Sequence, residues 1–218
     1  MKKFISINQT RITHSEKVTM MRIFSLILIL IISLQSLSKA DDISEFEIEG
    51  MSINDSLIDF FDHLDLNEQI INNYPKATYP GSDKFFGLRI NKKLGDYDNF
   101  GVLLKKDDKK YIIYVLRGRI NFENRLEDCK KYKLNVVNSI KDLLPNITPH
   151  DYTHNYKIDE GKSISYITDF NFEDGSSIRA YCDNWSNIVE KNERWVDSMS
   201  VEISTAEAVN WINNEAYN

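Results

Sequence analysis

Three arginines and a pair of histidines carry the side chains that could do chemistry in this sequence. Arg89, Arg117 and Arg119 fall in segments that alternate like neighbouring strands, and Gly118 between the last two predicts a bulge. Guanidinium groups held side by side would take an anionic ligand. The competing reading pairs each with a surface carboxylate. His150-Asp151-x-x-His154 groups two imidazoles with an acid, the donor types of a zinc or copper site. Histidines at i,i+4 face one ion only on a helix, whereas Pro149 and the neighbouring Thr, Asn and Tyr predict loop or the start of a strand. A solvated segment is therefore the reading set against the metal. Asp59 and His63, also i,i+4, read as the wet face of a helix.

Other motifs fail on their context. Gly161-Lys162-Ser163 has the ending of a phosphate-binding loop, but the required earlier glycine falls on Tyr156 and a strand follows it, not a helix. There is no G-x-S-x-G, no Gly-rich dinucleotide fingerprint after a strand and no cysteine with the look of an exposed nucleophile. No cofactor is expected. Carboxylates acting with His63, His150 or His154 leave an envelope hydrolase as the alternative to a binding role. Trp185 and Trp195, with the Tyr-, Phe-, Gly- and Pro-rich stretch 74–100, read as stacking platforms for a sugar or peptide or, more plainly, as aromatic packing.

Periodicity predicts the elements that must position these residues. Phe46 and Ile48 before Gly50 read as a short strand. Ser52, Asn54 and Asp55 cap a helix with the stripe Leu57, Phe60, Phe61 and Leu64, and Asp65 with Glu68 caps a second. Strands follow at 85–90, 100–104 and 111–116. The last two flank a polar turn, Lys106-Asp107-Asp108-Lys109, with Phe100, Val102 and Leu104 facing Val115, Ile113 and Tyr111. Both faces of this pair are apolar, as in a strand covered twice.

The longest helix is predicted over 124–144. Its stripe is Leu126, Cys129, Val136, Val137, Ile140, Leu143 and Leu144, interrupted only by Lys133, whose stem can snorkel. A second hairpin places Ile164, Tyr166, Phe170 and Phe172 beside Ile178, Ala180 and Cys182. Those sets share a face only if the loop is three residues, Glu173-Asp174-Gly175, with Gly175 left-handed. Met199, Val201 and Ile203 form a last strand. Ser204-x-x-Glu207 caps a terminal helix carrying Ala208, Trp211 and Ile212.

The predicted order β-α-α-β-β-β-α-β-β-β-α implies an α+β fold, an antiparallel sheet of about six strands with helices on one face. It also reads as a helix and three strands repeated, an ordering that resembles small periplasmic interaction modules of the β-lactamase inhibitor protein type.

Cys129 on the helix stripe and Cys182 on the apolar strand face both point at the core, the geometry of a helix-to-sheet disulfide. Two cysteines are too few for a structural zinc site; two separate buried thiols are the alternative. The N-terminus supplies the compartment. Arg22, an apolar run over 23–34 and a polar tail with Ser38 and Ala40 read as an export signal cut after Ala40, with Met20 or Met21 as its start. The run is shorter than the roughly 20 residues a membrane span needs, so an uncleaved anchor is the weaker reading.

The whole chain holds 27 basic and 33 acidic side chains. Residues 1–40 take six of the basic and one of the acidic with them, leaving 21 against 32, a net charge of −11. Such a surface repels phosphate backbones and anionic membranes, which excludes nucleic acid as a partner. One domain over 41–218 fits the length and the absence of linkers.

The segment EIEGMSINDS (Glu47 to Ser56), KKYIIY (Lys109 to Tyr114), the two cysteines and the ending Glu215-Ala216-Tyr217 resemble a family of small uncharacterised exported proteins of free-living marine bacteria. Members carry Gly where this chain has Asn54, and Asn tolerates the same left-handed turn. The resemblance implies periplasmic or secreted residence and brings no activity with it. The expectation is an exported, non-enzymatic binding or interaction domain. Its partner would be an envelope protein or a small ligand, with a small-anion or metal carrier as a further alternative.

Overall fold

In the computed structural model the described residues are 43–61 and 79–218, all within the unit Ala40–Asn218. The predicted export signal, His63, Leu64, the second capped helix and the loop residues 74–78 lie outside the described residues. Seven strands make one open antiparallel sheet: β1 (Phe85–Ile90), β2 (Asn99–Lys105), β3 (Ile113–Asn121), β4 (His150–Asn155), β5 (Ile164–Asn171), β6 (Ser177–Asn184) and β7 (Ser198–Ser204). Their lateral order is β1-β2-β3-β7-β6-β5-β4. Two meanders are thus joined edge to edge by the last strand. Among the described residues three α-helices accompany them: α1 (Leu126–Leu143), α2 (Asn187–Glu193) and α3 (Ala206–Asn214). The fold class is α+β, as the periodicity predicts.

One face of the sheet is the main core. Met199, Val201 and Ile203 of β7 lie there with Phe170, Ile178 and Ala180, under Cys129, Val137 and Ile140 of α1. Cys129 and Cys182 form the expected disulfide, with 6.1 Å between their Cα atoms. Lys133 does more than snorkel: its amine donates to Thr168 Oγ1 at 2.9 Å. Leu143, placed on the stripe by its angle, is 58% exposed, because it is the helix's last residue and Leu144 turns inward instead. A second, smaller core forms on the opposite face. There α3 lays Ala208 and Trp211 over Phe85, Leu103 and Val115. The expected covering of one face by helices therefore holds for α1 and not for α3, and β2 and β3 are covered on both sides.

Local chemistry explains where the chain departs from its periodicity. The first predicted strand is a single bridge, Ile48 to Met51, since Glu49 and Gly50 at φ 52° and 78° reverse the chain at once. Asn54 is left-handed at φ 70°. The first predicted helix is one 3-10 turn, Leu57–Asp59. In the β2–β3 pair Leu103 opposes Val115 but Leu104 opposes Ile113, leaving Tyr114 as a bulge. Tyr111, at φ 51°, leaves the ladder altogether. Phe100 and Val102 consequently face Gly118 and Leu116 instead of the residues expected.

Gly118 is not the bulge. A side chain there would strike the Tyr97 ring at 2.5 Å, so the glycine is the floor on which Tyr97 packs. The β5–β6 hairpin has the expected three-residue loop: Phe172 N–H donates to Ser176 C=O, Gly175 is at φ 91°, and Phe170 opposes Ile178. The cap of α3 is Thr205, whose hydroxyl accepts from Ala208 N, because Ser204 is still in the ladder. Strand β4 and helix α2, capped by Ser186, complete the molecule where sequence periodicity was silent.

Candidate functional site

Alternation along β7 builds the site. With Met199, Val201 and Ile203 in the main core, Ser198, Ser200, Glu202 and Ser204 must point to the other face. All four are buried. Residues directly opposite across strands share a face. Glu202 lies between Arg117 of β3 and Arg179 of β6, and Arg179 lies opposite Asp169 of β5. The result is a row of alternating charge across four strands. The next row runs Arg119, Ser200, Tyr181, Ile167, Tyr152. Asp183, Ser165 and His154 form a third.

Beyond the patch under α3, this face carries no described helix. It forms a groove of about 640 Å³, inside the roughly 300–1,000 Å³ of small-molecule sites. Beside it, over Gly87 and Gly101, is a hollow of about 180 Å³ edged by Arg89, Arg117 and Arg119. A side chain built at Gly101 would meet only Arg117, at 3.6 Å, so the hollow exists because a glycine stands there and not because larger residues cannot fit.

Most of the charges are partnered within the protein. Arg117 donates to Glu202 Oε2 from Nε at 2.7 Å and from Nη2 at 2.5 Å, and its guanidinium sits 5.7 Å from the Tyr181 ring. Arg179 grips Asp169 with both Nε and Nη2, at 2.7 and 3.1 Å. Tyr152 donates to the same carboxylate at 2.9 Å, and Tyr156 donates to Asp183 at 3.0 Å. Burial alone would raise the Glu202 carboxyl, but Arg117 and Arg179 outweigh it and hold it below the ordinary glutamate value. Asp183 also feels the charges of Arg119 and Arg117, but there burial outweighs them and pushes it up. Burial also lifts Tyr152 and Tyr181 to about 12 and Tyr156 still higher, so all three phenols are neutral donors at physiological pH.

Arg119 differs from its neighbours. Its Nε is buried without a hydrogen-bond partner, and among the described residues no carboxylate forms a salt bridge with it, although the Asp183 carboxylate lies near enough to feel its charge. The hydroxyls of Ser198 and Ser200 and the Trp185 indole N–H are likewise buried and unpartnered. Such atoms are few in folded proteins, and several around one groove are the mark of an interior built for polar company. Trp185 stacks between Tyr156 at 4.5 Å and Trp195 at 4.6 Å, while Trp195 keeps 37% of its surface exposed.

The three arginines singled out in the sequence thus meet at one site, Arg89 opposing Gly101, which opposes Arg117. The metal set does not assemble. His150, Asp151 and His154 lie on a strand, so His150 and His154 share the groove face roughly 13 Å apart. Asp151 points the other way, accepting a hydrogen bond from Thr168 on the α1 side. Among the described residues no group of three His, Cys, Asp or Glu gathers for a metal. Both histidines are exposed, and each lies against a tyrosine ring, His150 against Tyr152 and His154 against Tyr156. Ser163 and Ser186 are spent on Asp159, a structural knot where the phosphate-loop ending was rejected.

Glu202, Arg179, Tyr181, Asp183 and Tyr152 escaped sequence reasoning. The signal was present in Ser198-x-Ser200-x-Glu202-x-Ser204, a polar residue at every second position of a strand whose other face is core. Compared with protein-family models, curated proteins and solved structures, the chain matches none.

Proposed function

We propose that this chain is an exported, non-enzymatic binding domain whose ligand site is the groove across β3, β7, β6, β5 and β4. The observation that carries the reading is Arg119: a guanidinium at the groove wall whose buried Nε has no protein acceptor, beside Arg117 and Arg179, which each grip a carboxylate. An empty donor of that kind costs about 1–3 kcal/mol unless something accepts from it. The expectation of a small-anion carrier built on Arg89, Arg117 and Arg119 merges with this reading. Export is supported by the signal pattern at residues 22–40 and by the disulfide, which belongs to oxidising compartments.

The test is a thermal-shift screen of small anions, carboxylates, phosphates and sulfates among them, on the wild type and on Gly101→Phe. The new Cβ meets only ordinary contacts with Arg117, and the ring beyond it projects into the hollow. At least one anion should raise the wild-type Tm by several degrees and leave the variant unmoved. If no anion shifts the wild type, or the variant responds as the wild type does, the groove is not the site.

A further inference from the structure

We infer, resting on the reading of the groove as a ligand site, that its ligand is a free α-amino acid with an aromatic side chain, taken as the zwitterion. The charges of the groove divide into two kinds. Arg117 is clamped on Glu202 and Arg179 on Asp169, so these four groups satisfy one another. Arg89 likewise has a partner of its own. That leaves Arg119 and Asp183, one charge of each sign. They stand on β3 and β6, on either side of β7, so two strand spacings put them roughly 10 Å apart across the sheet at the backbone. Each feels the other's charge, yet among the described residues no salt bridge joins them. Arg119 keeps a buried Nε donor unused. Asp183, 3% exposed, has a neutral phenol, Tyr156, as its donor where Glu202 and Asp169 have guanidinium groups.

A buried charge without a counter-charge at bonding distance is costly, and one molecule carrying both signs relieves both. A simple anion answers Arg119 and leaves Asp183 bare; a simple cation does the reverse. An α-amino acid holds its carboxylate and ammonium on one carbon, so it fits between the two halves of the pair and leaves the groove's charge balance unchanged. The wall beyond Asp183 sets the side chain. Trp185 follows two residues later and stacks with Tyr156 on one side and Trp195 on the other, and Trp195 is left open to the groove. An open ring at the end of a stack favours another ring, edge-on or offset. In this arrangement the ligand's carboxylate lies against Arg119, its ammonium against Asp183 and its ring on Trp195. Arg117 and Arg179 keep their own carboxylates.

L-Phenylalanine is the probe. N-acetyl-L-phenylalanine lacks the positive charge, L-phenylalaninamide lacks the negative one, and L-alanine lacks the ring. Titration is followed by the tryptophan indole N–H signals in NMR. Trp211, whose Nε1 donates to Ser82 in the separate core under α3, reports an intact fold. Phenylalanine should shift the Trp185 and Trp195 signals saturably, at least tenfold more tightly than any of the other three, with Trp211 still. Arg119→Met should abolish its advantage over the amide, and Asp183→Asn its advantage over the acetyl form, each with the Trp211 signal in place. Phenylalanine binding no more tightly than either blocked form, or alanine binding as tightly as phenylalanine, overturns the assignment. Folded variants that keep the wild-type ranking overturn it too, and the wild-type comparisons stand whether or not either variant folds. The anion screen with Gly101→Phe is independent: a simple anion that shifts the wild type and not the variant, beside phenylalanine that shows no preference, would sink this inference and leave the groove a ligand site.

Discussion

Glu202 shows how a carboxylate can be buried in the middle of a sheet and stay charged. Its cost of desolvation is met by Arg117 at 2.5–2.7 Å and by the field of Arg179 on the opposite neighbour. Glu202→Gln strips both arginines of that charge. Breaking a buried pair costs about 3–5 kcal/mol, and because the Arg117 side chain is 39% exposed the low end applies, about 3 kcal/mol by chemical denaturation.

The pH dependence follows from the depressed carboxyl. Its stabilisation is fully present above the unfolded glutamate value of about 4.3 and is lost as pH falls through the lower folded value. The wild type should therefore lose stability on acidification below about pH 5 more steeply than Glu202→Gln. Parallel curves would remove Glu202 from the account. Asp183 works in the opposite sense: its raised value means the carboxylate weighs against folding above the usual aspartate range. Its legibility was poor for a residue-scale reason. A lone Asp in a strand says nothing until Tyr156 and Arg119 are known to be its neighbours.

At the scale of elements, the sequence reads well where turn chemistry fixes geometry and badly where a single residue breaks the count. The Glu173-Asp174-Gly175 loop left one register compatible with a common apolar face, and β5 and β6 adopt it. The β2–β3 pair defeated the same logic because Tyr111 turns left-handed and Tyr114 bulges, neither of which a β-rich Tyr advertises.

Capping was legible to within one residue. Thr205→Ala should cost about 1 kcal/mol, seen as a loss of stability with the fold unchanged, whereas Ser204→Ala should leave α3's cap intact. Removing the α1–β6 tie by a Cys129→Ala, Cys182→Ala double substitution opens a loop of 53 residues. On the chain-entropy model this is worth about 4 kcal/mol. Reduction of the wild type should reproduce that loss, and a far smaller change would mean that packing of α1 alone holds the helix.

Over the whole molecule, what escaped the sequence was lateral order. Strand β7 comes last in the chain yet sits at the centre of the sheet, between β3 and β6. That insertion brings Arg117 and Arg119 to Glu202 and Arg179. No local pattern encodes which strands become neighbours, so three arginines were visible in advance and the groove around them was not. The same insertion gives the molecule two unlike faces. One is apolar and closed by α1 and the disulfide. The other is polar, buried in its floor and open above, with unpartnered donors at Arg119, Ser198, Ser200 and Trp185.

Buried donors of that kind are satisfied by a bound ligand or by ordered water. The most direct measurement is native mass spectrometry of the full chain purified from an exporting host, wild type beside Gly101→Phe. A small non-covalent mass on the wild type, released on denaturation and missing from the variant, is the predicted result. Both proteins at the mass of their own bare polypeptide, with nothing retained by either, would contradict the proposal that this groove holds a ligand.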